Sequence, residues 1–242
     1  MKDILQDIVA HTHALGFLNL VKVTNDADTS IDSMAEDRSV ILSANTNNPV
    51  SEFTGTFGMP NLDKLALHLK NPEYQKDAKI DVVKADRNGE TIPTHIHFEN
   101  SAGDFQNDYR FMNQAIIDEK LKTVKFKGAT WNVTFSPSVA SIARMKLMSA
   151  AHSEEPTFNV MTKDNNLVFS FGDASTHAGE FVFQHSIEGT LTHTWSWPVA
   201  QVQSILGLDG DKTVSISDQG AMQITVDSGM VKYDYILPAQ SK

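Results

Sequence analysis

Residues 53–67 read Phe-Thr-Gly-Thr-Phe-Gly-Met-Pro-Asn-Leu-Asp-Lys-Leu-Ala-Leu, and residues 191–205 read Leu-Thr-His-Thr-Trp-Ser-Trp-Pro-Val-Ala-Gln-Val-Gln-Ser-Ile. Both follow one template. A strand carries Thr at alternate positions and large apolar residues at its ends. A Pro then stands at the start of a helix whose apolar residues recur at helical spacing. Pro60 and Pro198 lie a little more than half the chain apart. This spacing predicts a duplicated domain, and hence a function built on symmetry rather than on one catalytic pocket.

The repeat extends outward from that segment. Downstream of the first copy, residues 79–98 form two period-two stretches joined at Asn88-Gly89; downstream of the second, residues 212–226 do the same around Gln219-Gly220. A polar pair containing Gly between alternating runs is a hairpin signal. Upstream, each half opens on a helical pattern, at 3–15 and 138–152. The shared order is helix, strands, strand–Pro–helix, hairpin.

Composition suits two medium domains. The chain has 242 residues, of which 40% are hydrophobic and 21% charged, which places it among globular proteins rather than disordered ones. No apolar run reaches the roughly 18–20 residues of a membrane span, and the acids within Met1-Lys-Asp-Ile-Leu-Gln-Asp-Ile-Val9 argue against a signal peptide. The absence of cysteine excludes disulfides, thiolate catalysis and Cys-based metal centres. The cytoplasm is the expected location, by exclusion. The net charge of −10 repels bulk nucleic acid, so any nucleic-acid surface must gather its cations in one place.

Four helices are expected. The first covers 3–15, with Ile4, Leu5, Ile8, Val9 and Leu15 on one stripe. The second runs from Pro60, with Leu62, Leu65 and Leu69 inward. The third follows Ser136-Pro137, with Val139, Ile142, Met145 and Met148 periodic, and the fourth runs from Pro198 to Gly207. Strands are expected at 18–23, 39–44, 53–57, 79–85, 94–98, 122–126 and 130–135 in the first half and middle. In the second half they are expected at 157–162, 167–171, 180–187, 190–197, 213–217, 222–226 and 230–237. The fold class is therefore α+β: two tandem, structurally similar domains, 1–120 and 121–242, each with two helices on antiparallel sheet.

These residues resemble the processivity clamps of DNA replication, and in particular the clamps of tailed phages with T-even-type replisomes. The likeness rests on the strand–Pro–helix element at 53–69 and on Ser136-Pro-Ser-Val-Ala-Ser-Ile-Ala-Arg-Met-Lys-Leu147. It rests also on Ser30-Ile-Asp-Ser-Met-Ala-Glu-Asp-Arg-Ser-Val-Ile-Leu42, where a polar turn feeds an apolar strand, and on Tyr233-Asp-Tyr-Ile-Leu-Pro-Ala239. It covers nearly the whole chain as order and pattern. The resemblance implies the DNA clamp fold and a homotrimeric ring that encircles duplex DNA and tethers the replicative polymerase. It also implies a clamp loader as partner, no cofactor, no catalytic residue and, for a phage protein, the host cytoplasm.

A bore that lets DNA slide needs modest positive charge and no base-reading contacts. The candidates are Lys2, Lys64, Lys70, Arg144 and Lys146. Arg144 and Lys146 are about 200° apart around a helix, so at most one points straight at the duplex. The fourth helix offers only Gln201 and Gln203, so further charge is expected from Lys120, Lys122, Lys125 and Lys127 in the connector, a cluster that equally suits the solvent face of a strand. Clamps take a partner's hydrophobic peptide in a pocket near the connector and tail. The resemblance carries that role to Met34, Val40, Leu237 and Pro238, with Phe111, Ile116 and Ile117 as weaker candidates.

Two other readings compete. His95 and His97 share one face of a strand, as metal ligands of β-rich enzymes do, with His185, His193 or Glu99 as a third ligand; ordinary strand histidines account for them more simply. A phage structural protein explains the strands and the missing cysteines but not four regularly placed helices. No phosphate-binding Gly-rich loop, Gly-x-Ser-x-Gly elbow or His-Glu-x-x-His occurs in the sequence.

Overall fold

The structure, a computed structural model, describes residues 1–87, 89–122, 126–175 and 177–240. It divides into two compact units: Met1–Val124 with Ser228–Tyr233, and Lys125–Asp227 with Asp234–Lys242. The expected strand at 122–126 and the Asn88 half of the first hairpin turn fall largely outside the described residues.

The first unit opens with α1 (Lys2–His11), whose Leu5, Ile8 and Val9 turn inward, followed by a short 3-10 turn at His13–Leu15. Strands β1 (Val21–Asn25), β2 (Thr29–Met34), β3 (Ile41–Thr46) and β4 (Gly55–Met59) form an antiparallel sheet. Helix α2 (Leu62–Lys70) follows two residues after the strand rather than at Pro60 itself. Pro60 disfavours a helical Met59, and Asn61, at φ 51°, makes the corner into the helix. A second antiparallel sheet holds β5 (Lys79–Arg87), β6 (Glu90–Glu99) and β7 (Gln106–Arg110). The buried Tyr109 hydroxyl on β7 donates to the Pro60 carbonyl, tying this sheet to the β4–α2 corner.

Strand β8 (Met112–Asn113) pairs with β4 and leads into α3 (Gln114–Lys120), a helix the sequence reading treats as connector. The Asn113 side chain caps α3 by accepting from the Ile116 N–H at 3.0 Å. Ile117 is then fully buried over Gly58, where even a Cβ would lie 2.9 Å from its Cδ1. Close approach at this point requires the glycine.

The second unit repeats the plan. After β9 (Val133–Phe135), Ser138 caps α4 (Val139–Ala151) by accepting from the Ser141 N–H at 3.0 Å. Strands β10 (Thr157–Lys163), β11 (Asn166–Phe171), β12 (Gly179–Gln184) and β13 (Trp195–Pro198) form one antiparallel sheet in the order β12-β11-β10-β13. Helix α5 (Val199–Leu206) begins directly after Pro198. Strands β14 (Asp211–Ser217) and β15 (Ala221–Asp227) are joined across Gln219-Gly220, the expected hairpin, and β14 pairs with β9. The core is aromatic: Phe169 stacks on Phe183 with centroids 4.2 Å apart and meets Phe158 at 4.7 Å.

The last described strand, β16 (Val231–Pro238), begins in the first unit and ends in the second. In the first unit, the Tyr233 hydroxyl and Ser228 reach the buried Asp7 carboxylate of α1. In the second, the fully buried Trp197 donates its indole N–H to the Leu237 carbonyl at 3.1 Å. Two helices on antiparallel sheet thus occur in each unit, the α+β arrangement expected, with α3 in addition.

Candidate nucleic-acid and partner surfaces

Each unit presents the outer face of a helix pair, and residue identity sets the chemistry of that face. In the first unit, α1 exposes Asp3, Gln6 and Ala10, while α2 exposes Asp63, Lys64, Leu67 and Lys70. Lys64 and Lys70 are therefore free to meet a ligand, beside two carboxylates. Lys2 is placed differently. Its Nζ donates to the Tyr74 carbonyl at 3.0 Å and to Gln75 Oε1 at 2.9 Å, so it holds α1 to the segment that follows α2.

In the second unit, α4 and α5 run antiparallel. Ser149 Oγ donates to Gln203 Oε1 at 2.8 Å, and Lys146 Nζ lies 4.0 Å from where a Cβ on Gly207 would stand. These helices contain Arg144 and Lys146 and no Asp or Glu. Both cations are exposed. Arg144 leans to one side, its guanidinium 5.3 Å from the centre of the Phe181 ring on β12, a cation–π contact that holds the stem but leaves the group exposed. Lys146 leans to the other, over α5. Between them lies a crest of Val139, Ala140, Ala143, Leu147 and Ala150, with Val139 85% and Leu147 73% exposed. Beside α4, a groove of about 610 Å³ is lined by Lys146, Ser149, Glu155, Pro198, Val199 and Gln203 among others, so a carboxylate shares it with the lysine.

In the connector, Lys120, Lys122 and Lys127 are exposed, and Lys125 lies outside the described residues. The partner-pocket candidates divide sharply by burial. Val40 and Leu237 are fully buried and present no surface, Met34 is half-buried, and Pro238 is exposed. Ile117 packs on Gly58, the Phe111 ring lies tilted against Phe57 with centroids 4.4 Å apart, and Ile116 is 43% exposed.

His95 and His97 do share a face of β6. In register across the sheet, His97 sits between Asp81 and Asp108, and His95 between Val83 and Arg110. His97 Nδ1 is 2.8 Å from Asp108 Oδ1 and its Nε2 is 3.6 Å from Glu99 Oε2. The Asp108 hydrogen bond raises the His97 pKa above its ordinary value, whereas burial lowers that of His95. The His97 imidazole is thus paired with Asp108 and Glu99 as an ion-pair partner. Among the described residues no group of three or more His, Cys, Asp or Glu is arranged to hold a metal ion, and no described helix is long and apolar enough to cross a membrane.

No family model and no curated protein matches the sequence. Solved structures do match the fold. The PCNA of A. fulgidus, in a structure with the C-terminal region of FEN-1 bound, superposes with a TM-score of 0.69 at 10% identity, covering 100% of this chain and 95% of that one. PCNA from Thermococcus kodakaraensis gives 0.70 at 10% identity, over 99% of this chain and 97% of that one. The proliferating cellular nuclear antigen of Entamoeba histolytica gives 0.65 at 12% identity, over 99% and 94%.

The fold is that of the sliding clamps. The clamp fold accounts for the duplicated strand–Pro–helix element: β4–α2 and β13–α5 are the same piece of each domain. At this identity the likeness is one of fold, and the surfaces are this chain's own. Sequence reasoning placed Lys64, Lys70, Arg144 and Lys146 on helix faces that the clamp fold leaves exposed. It missed the carbonyl that engages Lys2, for which nothing near Lys2 in sequence gives a signal.

Proposed function

We propose that the protein is a sliding clamp of DNA replication: a ring of identical chains that encloses duplex DNA and tethers a replicative polymerase. The observation that carries this reading is full-length agreement with the PCNA fold, covering 99–100% of this chain and 94–97% of the matched ones. The acid-free helix pair of the second unit supports it, because a protein with 30 acids and 20 Lys and Arg keeps two whole helices clear of carboxylates. A surface of that kind suits non-specific contact with phosphates.

In the same reading the ring is a homotrimer of the kind made by phages with T-even-type replisomes, acting in the host cytoplasm. A clamp loader opens it, and partners dock by short hydrophobic peptides. The A. fulgidus structure, which carries the C-terminal region of FEN-1, supports protein partners of this sort. Lys64, Lys70, Arg144 and Lys146 face the duplex, and Met34 and Pro238 are the accessible members of the partner set. A clamp needs no activated nucleophile or acid pair; its work is enclosure.

Light scattering across a concentration series tests assembly. A mass near three times the 26.7 kDa chain is expected, and a monomer at every concentration counts against a ring that closes unaided. Retention on circular DNA, lost when the circle is linearised, tests enclosure. Tight, salt-sensitive binding to short linear duplex counts against holding by topology.

A further inference from the structure

Helix α4 is apolar on both sides. Its inward side holds Met145 and Ser149, which are buried, with Ile142 and Met148 half-buried. Its outward crest of Val139, Ala140, Ala143, Leu147 and Ala150 is exposed throughout. Helical geometry places these five within about 100° of the circumference, as wide a stripe as an ordinary amphipathic helix turns toward a core. Scattered exposed aliphatics are common, but here Val139 at 85% and Leu147 at 73% exposure lie on one unbroken stripe. On α1 and α2 the outward face is broken up by Asp3, Gln6, Asp63, Lys64 and Lys70. Contact with phosphates calls for cations and gives an aliphatic crest nothing to do. A contiguous apolar face of this kind marks an interaction surface.

We propose that the α4 crest is a docking face for a protein partner, an amphipathic helix with an aliphatic face and acidic flanks that lies along α4. Charge complementarity selects this occupant. Arg144 borders the crest on one side and Lys146 on the other, and neither α4 nor α5 contains an acid. An acid on each flank of the incoming helix meets a cation, which fixes its register and rejects basic segments. A second copy of α4 sets cations against cations and is disfavoured. At its C-terminal end the crest runs into the groove, where Ala150 is joined by Pro156, Pro198 and Val199, and where Glu155 supplies a carboxylate. The partner's acids therefore lie over the middle of α4, and its end over the groove is neutral or basic. The inference goes beyond the clamp reading and does not need it, because the whole surface belongs to the second unit. In a clamp, this occupant and the duplex compete for one face, so a protein seated there holds the chain off DNA.

The test uses the full chain and a synthetic probe, a stapled helical peptide with Leu on one face and Glu on both flanks, followed by fluorescence anisotropy. The parental protein is expected to bind the probe, and less tightly as salt rises. V139S/L147S should weaken binding about tenfold or more, because two aliphatic side chains lose their burial, and should leave weak binding of a short duplex unchanged. R144Q/K146Q should weaken probe binding as well and flatten its salt dependence. V139I/L147M keeps the crest apolar and should retain the probe, which separates docking from fold. A probe with Lys in place of Glu should not bind. The proposal is overturned if the parental protein ignores the Glu probe, if V139S/L147S binds it as the parent does, or if the Lys probe binds equally well. It is also overturned if V139S/L147S lowers the native mass, which makes the crest a contact between copies. Parental binding to anionic phospholipid vesicles that V139S/L147S abolishes overturns it in favour of a lipid surface.

Discussion

The Asp7 carboxylate accepts a hydrogen bond from the Tyr233 hydroxyl at 2.7 Å, joining α1 to β16 across nearly the whole sequence. Ser228 Oγ donates to the same oxygen at 3.0 Å, and the His11 ring stacks on Tyr233 with centroids 4.4 Å apart. All of this lies in the first unit, and Asp7, His11 and Tyr233 are buried. A buried carboxylate deprived of a donor is costly. Tyr233→Phe is therefore expected to lower stability by about 1.5–3 kcal/mol, the range for hydrogen bonds to charged groups. Urea unfolding of the two proteins checks this; a change within 0.5 kcal/mol or so would show the bond to be dispensable.

The β6 histidines should separate in a pH titration. His97 is held above its ordinary value by Asp108, and Asp108 is held below its own by His97. The His97 contribution is fully present below its unfolded value of 6.5 and is lost as pH rises through the higher folded value. The Asp108 contribution is present above 3.8 and is lost as pH falls through its lower folded value. The pair therefore stabilises most between those reference values. NMR of the imidazole protons should find His97 titrating at higher pH than His95, and Asp108→Asn should bring His97 down. An unchanged His97 in that variant would assign the shift elsewhere.

Gly58 and Ile117 predict a packing conflict that can be rescued. A methyl at 58 meets Ile117 at 2.9 Å, and overpacking of this kind costs about 1–3 kcal/mol. Gly58→Ala should therefore destabilise, and Ile117→Val in the same chain should recover part of the loss. Simple additivity of the two changes, measured by chemical denaturation, would mean that they do not act through this contact.

Leu237 and Pro238 should part company. Leu237 is fully buried and its carbonyl accepts from Trp197, whereas Pro238 is exposed. Leu237→Ala should lower stability by about 2–5 kcal/mol, while Pro238→Ala should change it by less than about 0.5 kcal/mol. Only Pro238→Ala then reports cleanly on partner-peptide affinity. Comparable stability for the two variants would contradict the burial pattern.

The elements legible in sequence were those whose inward residues are apolar. Strand β11, with Leu167, Val168, Phe169 and Phe171 buried, could be read on pattern, as could α2 through Leu62, Leu65 and Leu69. Strand β2 could not, because its inward positions are Thr29, Ile31 and Ser33, so alternation of burial leaves no alternation of hydrophobicity. Strand β7 buries only Tyr109. Helix α3 is seven residues long with a single buried side chain, too short for a period to register. Boundaries at the two prolines shifted by one or two residues, since Pro60 and Pro198 precede their helices. At the surfaces, helical spacing identified the exposed cations on α2 and α4. It could not reveal that Lys2 is engaged by a carbonyl more than seventy residues away, or that Val40 lies inside the core.

Strand β16 imposes an order of events on folding. Residues 228–233 belong to the first unit, yet in sequence they follow all but the closing strand of the second. A ribosome making this chain releases 1–124 long before it supplies the segment that brings Tyr233 to Asp7. The first unit made is therefore among the last to be completed, and it waits with a buried-to-be carboxylate and an unpaired sheet edge in water. Contacts of such sequence separation slow folding and expose aggregation-prone edges. The same strand makes the two units answer to each other in the cell: a chain interrupted after residue 227 loses part of both, so neither half is released as a finished domain.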